Sequence, residues 1–78
     1  MTKVDFWEDN FKVESGEFKD AQAALEAAMV WSHLPGRSSV CFDRHYRACL
    51  TVWHDGTCHQ LSRLRDTVPV EWRLTCDA

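Results

Sequence analysis

Three cysteines and three histidines lie between residues 41 and 59 of this 78-residue chain, in the stretch CFDRHYRACLTVWHDGTCH. Thiolate and imidazole are the usual ligands of structural zinc sites, which place paired ligands about two to four residues apart so that a tight turn directs both at one ion. Cys41, Cys49 and Cys58 are too widely spaced for such a turn, and no CxxC or HxxxH is present. The spacing disfavours zinc, and we expect no metal and no cofactor.

Nucleophilic catalysis is the other chemistry that cysteine and histidine support. Cys58 and His59 are sequence neighbours, but adjacent strand residues point to opposite faces and cannot form a side-chain hydrogen bond with each other. The sequence also has no HExxH, no GxSxG and no glycine-rich phosphate loop. We therefore expect that the protein is not an enzyme.

The composition predicts one small domain spanning residues 1–78. Hydrophobic residues make up 45% of the chain and include four tryptophans, which is enough for one core. No apolar run is long enough to span a bilayer, and the N-terminal residues form no apolar signal segment. We therefore expect a cytoplasmic protein whose cysteines are reduced and serve as small apolar residues rather than in disulfides.

One helix is predicted from Asp20 onward. Asp20 precedes the alanine-rich segment AQAALEAAMVWSHL and suits the N-cap position, and Pro35-Gly36 ends the pattern. Apolar residues cover more of this helix than an ordinary surface helix shows. Two interpretations remain open. The alanines tolerate solvent, or the Val30–Trp31–Leu34 flank contacts a second protein.

The remaining segments predict β-strands. Residues 4–18 favour one or two short strands with turns at EDN and SG, and Asp55-Gly56 predicts a hairpin turn that places Leu50 beside Leu61. Period-two alternation predicts further strands in SSVCF, YRACLTVW, TCHQL and VPVEWRLTC, the last of them at an edge because Pro69 cannot donate a ladder hydrogen bond.

These elements predict an α+β fold in which one α-helix packs on a four- or five-stranded, mainly antiparallel sheet. A three-residue loop at Asp43-Arg44-His45 would align Val40 and Phe42 with the core face and leave the cysteines of residues 41–59 on the opposite face. The predicted core comprises Leu25, Met29, Val40, Phe42, Leu50, Val52, Leu61, Val70 and Trp72.

Single-stranded nucleic acid is one candidate partner. Aromatic rings that stack on bases and cations that hold phosphates are the combination such proteins use. The chain carries these types on or near the predicted sheet at Arg44, His45, Tyr46, Arg47, Trp53, His54, Arg63, Arg65 and Arg73. The net charge of −3 and the pI near 5.7 argue against this function, because nucleic-acid-binding domains usually carry a basic excess.

A protein partner fits the charge distribution better. Every lysine lies in residues 1–30, where acidic residues outnumber the lysines, and every arginine lies in residues 31–78. Acidic side chains would steer the domain toward a basic surface, and exposed tryptophans would anchor it there. The candidate partner-binding residues are Asp5, Trp7, Glu8, Asp9, Glu14, Glu17, Asp20 and Trp31.

The order of a short β segment, the helix AQAALEAAMVW and a β-meander, best seen in residues 11–61, resembles the small phage-encoded anti-CRISPR proteins. The resemblance implies a non-catalytic inhibitor, active in the host bacterial cytoplasm as a monomer or homodimer. Its target would be a Cas protein or effector complex, with type I favoured, and it would block DNA binding, cleavage or a conformational step. These proteins share no motif, so no residue role is carried over. Other small phage proteins that act on their host, and toxin–antitoxin or transcription-regulator partners, fit this layout as well.

Overall fold

An antiparallel sheet with a helix against one face forms the framework of the protein. The computed structural model describes residues 1–61 and 68–75, and within them the chain forms five strands and two helices. The predicted α+β fold is confirmed. In chain order the elements are β1 (Thr2–Glu8), β2 (Phe11–Phe18), α1 (Ala21–Trp31), β3 (Arg37–Phe42), β4 (Ala48–Trp53), β5 (Cys58–Gln60) and α2 (Val70–Thr75).

The strand order is β2-β1-β3-β4-β5, so β2 and β5 form the two edges among the described residues. β1 and β2 are joined by a tight turn at Asp9 and Asn10, whose φ angles of 50° and 71° belong to the left-handed region that these two residue types tolerate. The predicted turn at EDN is confirmed, whereas Ser15-Gly16 lies within β2 and the turn predicted there is wrong.

The second predicted hairpin turn is confirmed as well. Gly56 has a φ of 86°, and the Asp55 carboxylate accepts hydrogen bonds from the Thr57 hydroxyl and the Thr57 backbone N–H. These bonds hold the pKa of Asp55 below its usual value. The pairing differs by one residue from the predicted one, because Leu50 lies opposite Gln60 instead of Leu61.

Helix α1 begins where the sequence predicts. The Asp20 carboxylate accepts a hydrogen bond of 3.0 Å from the Gln22 backbone N–H and caps the first turn. The helix ends at Trp31, earlier than Pro35-Gly36, because Ser32 leaves helical geometry and its hydroxyl bonds to Ser39 of β3 at 2.7 Å. The Ser39 hydroxyl also donates to the Ala28 carbonyl, so this buried pair connects the helix end to the sheet.

Strand β3 packs Ser39 and Cys41 against α1, whereas the sequence predicted Val40 and Phe42 on that face. Cys41 lies opposite Val4 and Leu50 and is buried, whereas Val40 and Phe42 are only partly buried. The predicted three-residue loop is wrong, because Asp43 N–H bonds to the Arg47 carbonyl and β4 begins only at Ala48. The core of the described residues comprises Val4, Phe6, Ala24, Leu25, Ala28, Cys41, Cys49, Leu50, Val52, Val68 and Trp72.

Four residues of the predicted core are confirmed as buried: Leu25, Leu50, Val52 and Trp72. Met29, Leu61 and Val70 are exposed, and Val40 and Phe42 are only partly buried. The buried positions of Cys41 and Cys49 contradict their predicted placement on the face away from the core. Cys58 contradicts it too, because it lies opposite the buried Val52 and packs against the core. Cys49 lies at an irregularity in the β3–β4 pairing, where an extra residue of β4 changes the alternation of faces.

The segment predicted as the last strand is helical from Val70 to Thr75. Val68, just before the helix, and Trp72 within it are both buried. The Pro69 carbonyl accepts from the Trp72 and Arg73 backbone N–H groups, and the Trp72 indole donates to the Ala21 carbonyl at 3.1 Å. Helix α2 thus packs beside the first turn of α1. The predicted connection at residues 61–66 lies, apart from Leu61, outside the described residues, as does Cys76.

Within the described ranges, no helix has the length and apolar character that crossing a bilayer requires.

Candidate protein-binding site

A groove lies between α1 and edge strand β2. Its wall is an apolar flank of α1 formed by Ala23, Ala27 and Val30, and its volume is about 640 Å³. The residues that line this α1–β2 groove are Phe6, Glu14, Gly16, Phe18, Ala23, Glu26, Ala27, Val30, Trp31 and Arg37.

 A separate, smaller cavity of about 360 Å³ lies beside α2.

Small side chains open the groove. Ala23 and Ala27 are four residues apart on α1 and leave room above β2. Gly16 forms the opposite side, where a Cβ atom would lie 3.1 Å from the Phe18 ring and 3.6 Å from the Phe6 ring. A glycine inside a strand often marks a place where another group approaches the backbone closely. The groove therefore depends on these three small residues.

Trp31 lines the groove and is held on several sides. Its ring packs edge-to-face on Phe6 at a centroid distance of 5.5 Å, and its indole N–H donates to the Trp7 carbonyl at 3.1 Å. The Arg37 guanidinium lies 4.0 Å from the centre of the Trp31 ring, and Arg37 Nε donates to Glu8 Oε2 at 3.1 Å. The ring is thus a fixed apolar surface, which costs little entropy to bind against.

The rim of the groove is acidic. Glu14 of β2 and Glu26 of α1 are exposed on its two sides, and the Gln22 amide donates to Glu26 at 3.4 Å. Arg37 is the cation among the described lining residues, and its charge is engaged by Glu8 and the Trp31 ring. A ligand in this groove would therefore meet apolar walls and the carboxylates of Glu14 and Glu26.

Several of the predicted partner-binding residues lie around this groove. Glu14 and Trp31 line it, and Glu8 forms an ion pair with Arg37, which also lines it. Sequence reasoning missed Gly16, Ala23 and Ala27, although a glycine within a strand segment and two alanines four residues apart were visible signals.

The other predicted residues lie elsewhere. Asp5 is only 6% exposed, because it accepts a 2.6 Å hydrogen bond from Ser15 and lies 3.6 Å from the Lys3 amine, so it is poorly placed for steering. Asp9 belongs to the β1–β2 turn, and Asp20 caps α1.

Trp7 and Glu17 lie on the sheet face away from α1, which we call the open face. Trp7 of β1 pairs with Ser38 of β3, and Ser38 pairs with Trp53 of β4. A cleft of about 460 Å³ lies between these residues, beside Asp9 and His54. Glu17 accepts a 2.9 Å hydrogen bond from the Tyr46 hydroxyl, and this bond raises the pKa of Tyr46.

The cysteines and histidines of residues 41–59 do not converge. Among residues 1–61 and 68–75, no group of three histidine, cysteine or acidic side chains is arranged to hold a metal ion. The expectation that the protein carries no metal stays a prediction.

Comparison with protein-family models, with curated proteins and with solved structures gives no match for this chain.

Proposed function

We propose that this protein is a non-catalytic binding domain that inhibits a protein partner by occupying a basic surface on it. The observation that carries this proposal is the α1–β2 groove, which joins an apolar flank to the carboxylates of Glu14 and Glu26. Burial of the flank would supply affinity, and the carboxylates would favour partners that display lysine and arginine.

The specific partner that we propose is a Cas protein of a CRISPR effector complex, with type I favoured. The resemblance to anti-CRISPR proteins in the order of the elements supports this choice. The acidic rim supports it too, since effector surfaces that hold nucleic acid are positively charged. Binding there would block access of DNA or a conformational step of the complex.

A pull-down from bacterial cells that carry different CRISPR systems, followed by mass spectrometry, tests the proposal. The informative variant is Val30→Asp, because Val30 is 77% exposed in the groove wall and its replacement leaves the core intact. Val70→Asp is the matched control, since Val70 is 58% exposed on α2 and does not line this groove.

We expect the wild-type protein and Val70→Asp to recover a Cas complex that Val30→Asp recovers poorly. Recovery of a different protein partner would contradict the CRISPR target and leave the binding function in place. Equal recovery by both variants would show that the binding surface lies outside the groove. Recovery of nucleic acid alone would contradict the whole proposal.

A further inference from the structure

Strand β2 is a long edge strand with no neighbour on its outer side among the described residues. It has eight residues, Phe11–Phe18, and most of its side chains are exposed. An edge strand presents unpaired backbone N–H and C=O groups to any segment that approaches it. The opposite edge, β5, has only three residues. The longer edge is thus the better template for an added strand.

The α1–β2 groove lies along this same edge. A strand paired with β2 would run about 4.8 Å from it, with every second side chain on the α1 side of the sheet. Those side chains would meet the exposed α1 flank at Val30 and the Phe18 ring that lies over Gly16. One extended segment would therefore satisfy both the backbone groups of β2 and the apolar flank of α1.

The charges around the edge indicate the composition of that segment. Glu14 and Glu26 lie on the α1 side, and Glu17 lies on the open face, so an added strand would pass carboxylates on both of its faces. Opposite charges on neighbouring strands stabilise pairing, whereas like charges destabilise it. Two-fold pairing over the full length of β2 would place Lys12 opposite Glu17, so a second copy is the competing occupant that the experiment distinguishes.

We propose that the partner contributes an extended basic segment that pairs with the free edge of β2. This inference rests on the proposed binding function. Apolar side chains of that segment occupy the α1–β2 groove, and its lysine or arginine side chains lie beside Glu14, Glu17 and Glu26. Backbone hydrogen bonds provide affinity in this mode of recognition, and the groove selects the alternating side chains.

The test uses the full isotope-labelled chain and a synthetic valine–lysine peptide of about ten residues that repeats Val-Lys-Lys-Thr. One face of this peptide alternates valine and lysine, and the other alternates lysine and threonine. Two control peptides accompany it: one with glutamate in place of lysine, and one with N-methyl groups on alternate backbone nitrogens of a single edge. N-methylation removes the pairing donors without changing the side chains. Binding is followed by amide chemical shifts and by hydrogen exchange of the β2 amides.

We expect the valine–lysine peptide to shift the β2 resonances and to slow exchange of the β2 amides that point away from β1. The N-methylated and glutamate peptides should lose this effect. The double variant Glu14→Gln/Glu26→Gln should weaken binding by about fivefold. The double variant His54→Lys/His59→Lys, which changes net charge by the same amount on exposed residues outside the groove, should bind as tightly as wild type.

Three results would overturn the inference. The first is no binding of the valine–lysine peptide, and the second is binding that N-methylation leaves intact. The third is a dimer in sedimentation experiments whose β2 amides are already protected, which would assign the edge to a second copy. If a partner from the pull-down depends on Val30 but leaves exchange of the β2 amides unchanged, the proposed function stands and only the strand-pairing mode fails.

Discussion

At the scale of single residues, Leu50 is one of the largest fully buried side chains of the core. It is 1% exposed and lies between Cys41 of β3 and Gln60 of β5 in the sheet. Its neighbours are held by backbone pairing on both sides, so the surrounding structure can relax only partly around a deletion.

Leu50→Ala should lower the free energy of unfolding by about 2–5 kcal/mol, because it removes buried methyl groups and leaves a cavity. Leu34→Ala provides the control, since Leu34 is 49% exposed and its replacement should change stability by less than about 1 kcal/mol. Urea unfolding of the two variants measures both values. Equal midpoints for Leu50→Ala and the wild-type protein would show that the face of β4 is misassigned.

The side-chain alternation of β4 was predictable from its sequence, but the matching face of β3 was not. Val40 and Phe42 alternate as regularly as Ser39 and Cys41, and hydrophobicity favours the first pair. The choice was decided by the loop of residues 43–47, where Tyr46 has a φ of 58°, and by the extra residue in β4. Period-two patterns do not reveal such an insertion, and one residue reverses the faces.

At the scale of elements, two buried serines join α1 to β3. The Ser32 hydroxyl lies 2.7 Å from that of Ser39, which donates to the Ala28 carbonyl at 3.1 Å. That carbonyl also accepts from the Ser32 backbone N–H at 3.0 Å, so it keeps a partner if the hydroxyls are removed. The two hydroxyls and the Ala28 carbonyl therefore bond to one another between α1 and β3.

Ser39→Ala should destabilise the protein by about 1–3 kcal/mol, because the buried Ser32 hydroxyl loses its partner. The double variant Ser32→Ala/Ser39→Ala should cost less than the sum of the two single changes, since no hydroxyl is then left unpaired. Denaturant melts of the four proteins give the coupling energy, and Ser38→Ala on the open face serves as the control. Strictly additive effects would show that the two hydroxyls do not interact.

The elements differ in how well the sequence defines them. Helix α1 has a cap, high helix propensity and several turns, and its start was predicted correctly. Helix α2 has six residues, and in VEWRLT the apolar residues fit an alternating strand as well as a short helix. Pro69 fits either reading, since proline is tolerated both at a sheet edge and in the first turn of a helix. Packing of Trp72 on α1, which no local pattern contains, decides the outcome.

At the scale of the whole molecule, the two faces of the sheet offer different surfaces. The α1 side presents the groove with its acidic rim, while the open face presents Trp53, 46% exposed, and the loop carrying Tyr46, also exposed. Arg47 lies in that same loop and is exposed, whereas Arg44, also exposed, lines the cavity beside α2. The sequence identified most of these residue types, but their division between two faces follows from the register of five strands. The open face is the surface that nucleic acid would contact.

Because the net charge is −3 and carboxylates lie on both faces, we expect the protein to bind single-stranded oligonucleotides no more tightly than about 10⁻⁶ M at physiological salt. Fluorescence anisotropy with labelled oligonucleotides over a series of salt concentrations measures this affinity. Trp53→Ala/Tyr46→Ala is the informative variant, and Val30→Asp on the α1 side is the control. A submicromolar Kd that weakens steeply with salt and is lost in the double variant would assign the open face to nucleic acid. It would replace the protein-binding function with the alternative, since stacking on exposed rings and contact with phosphates are what such binding requires.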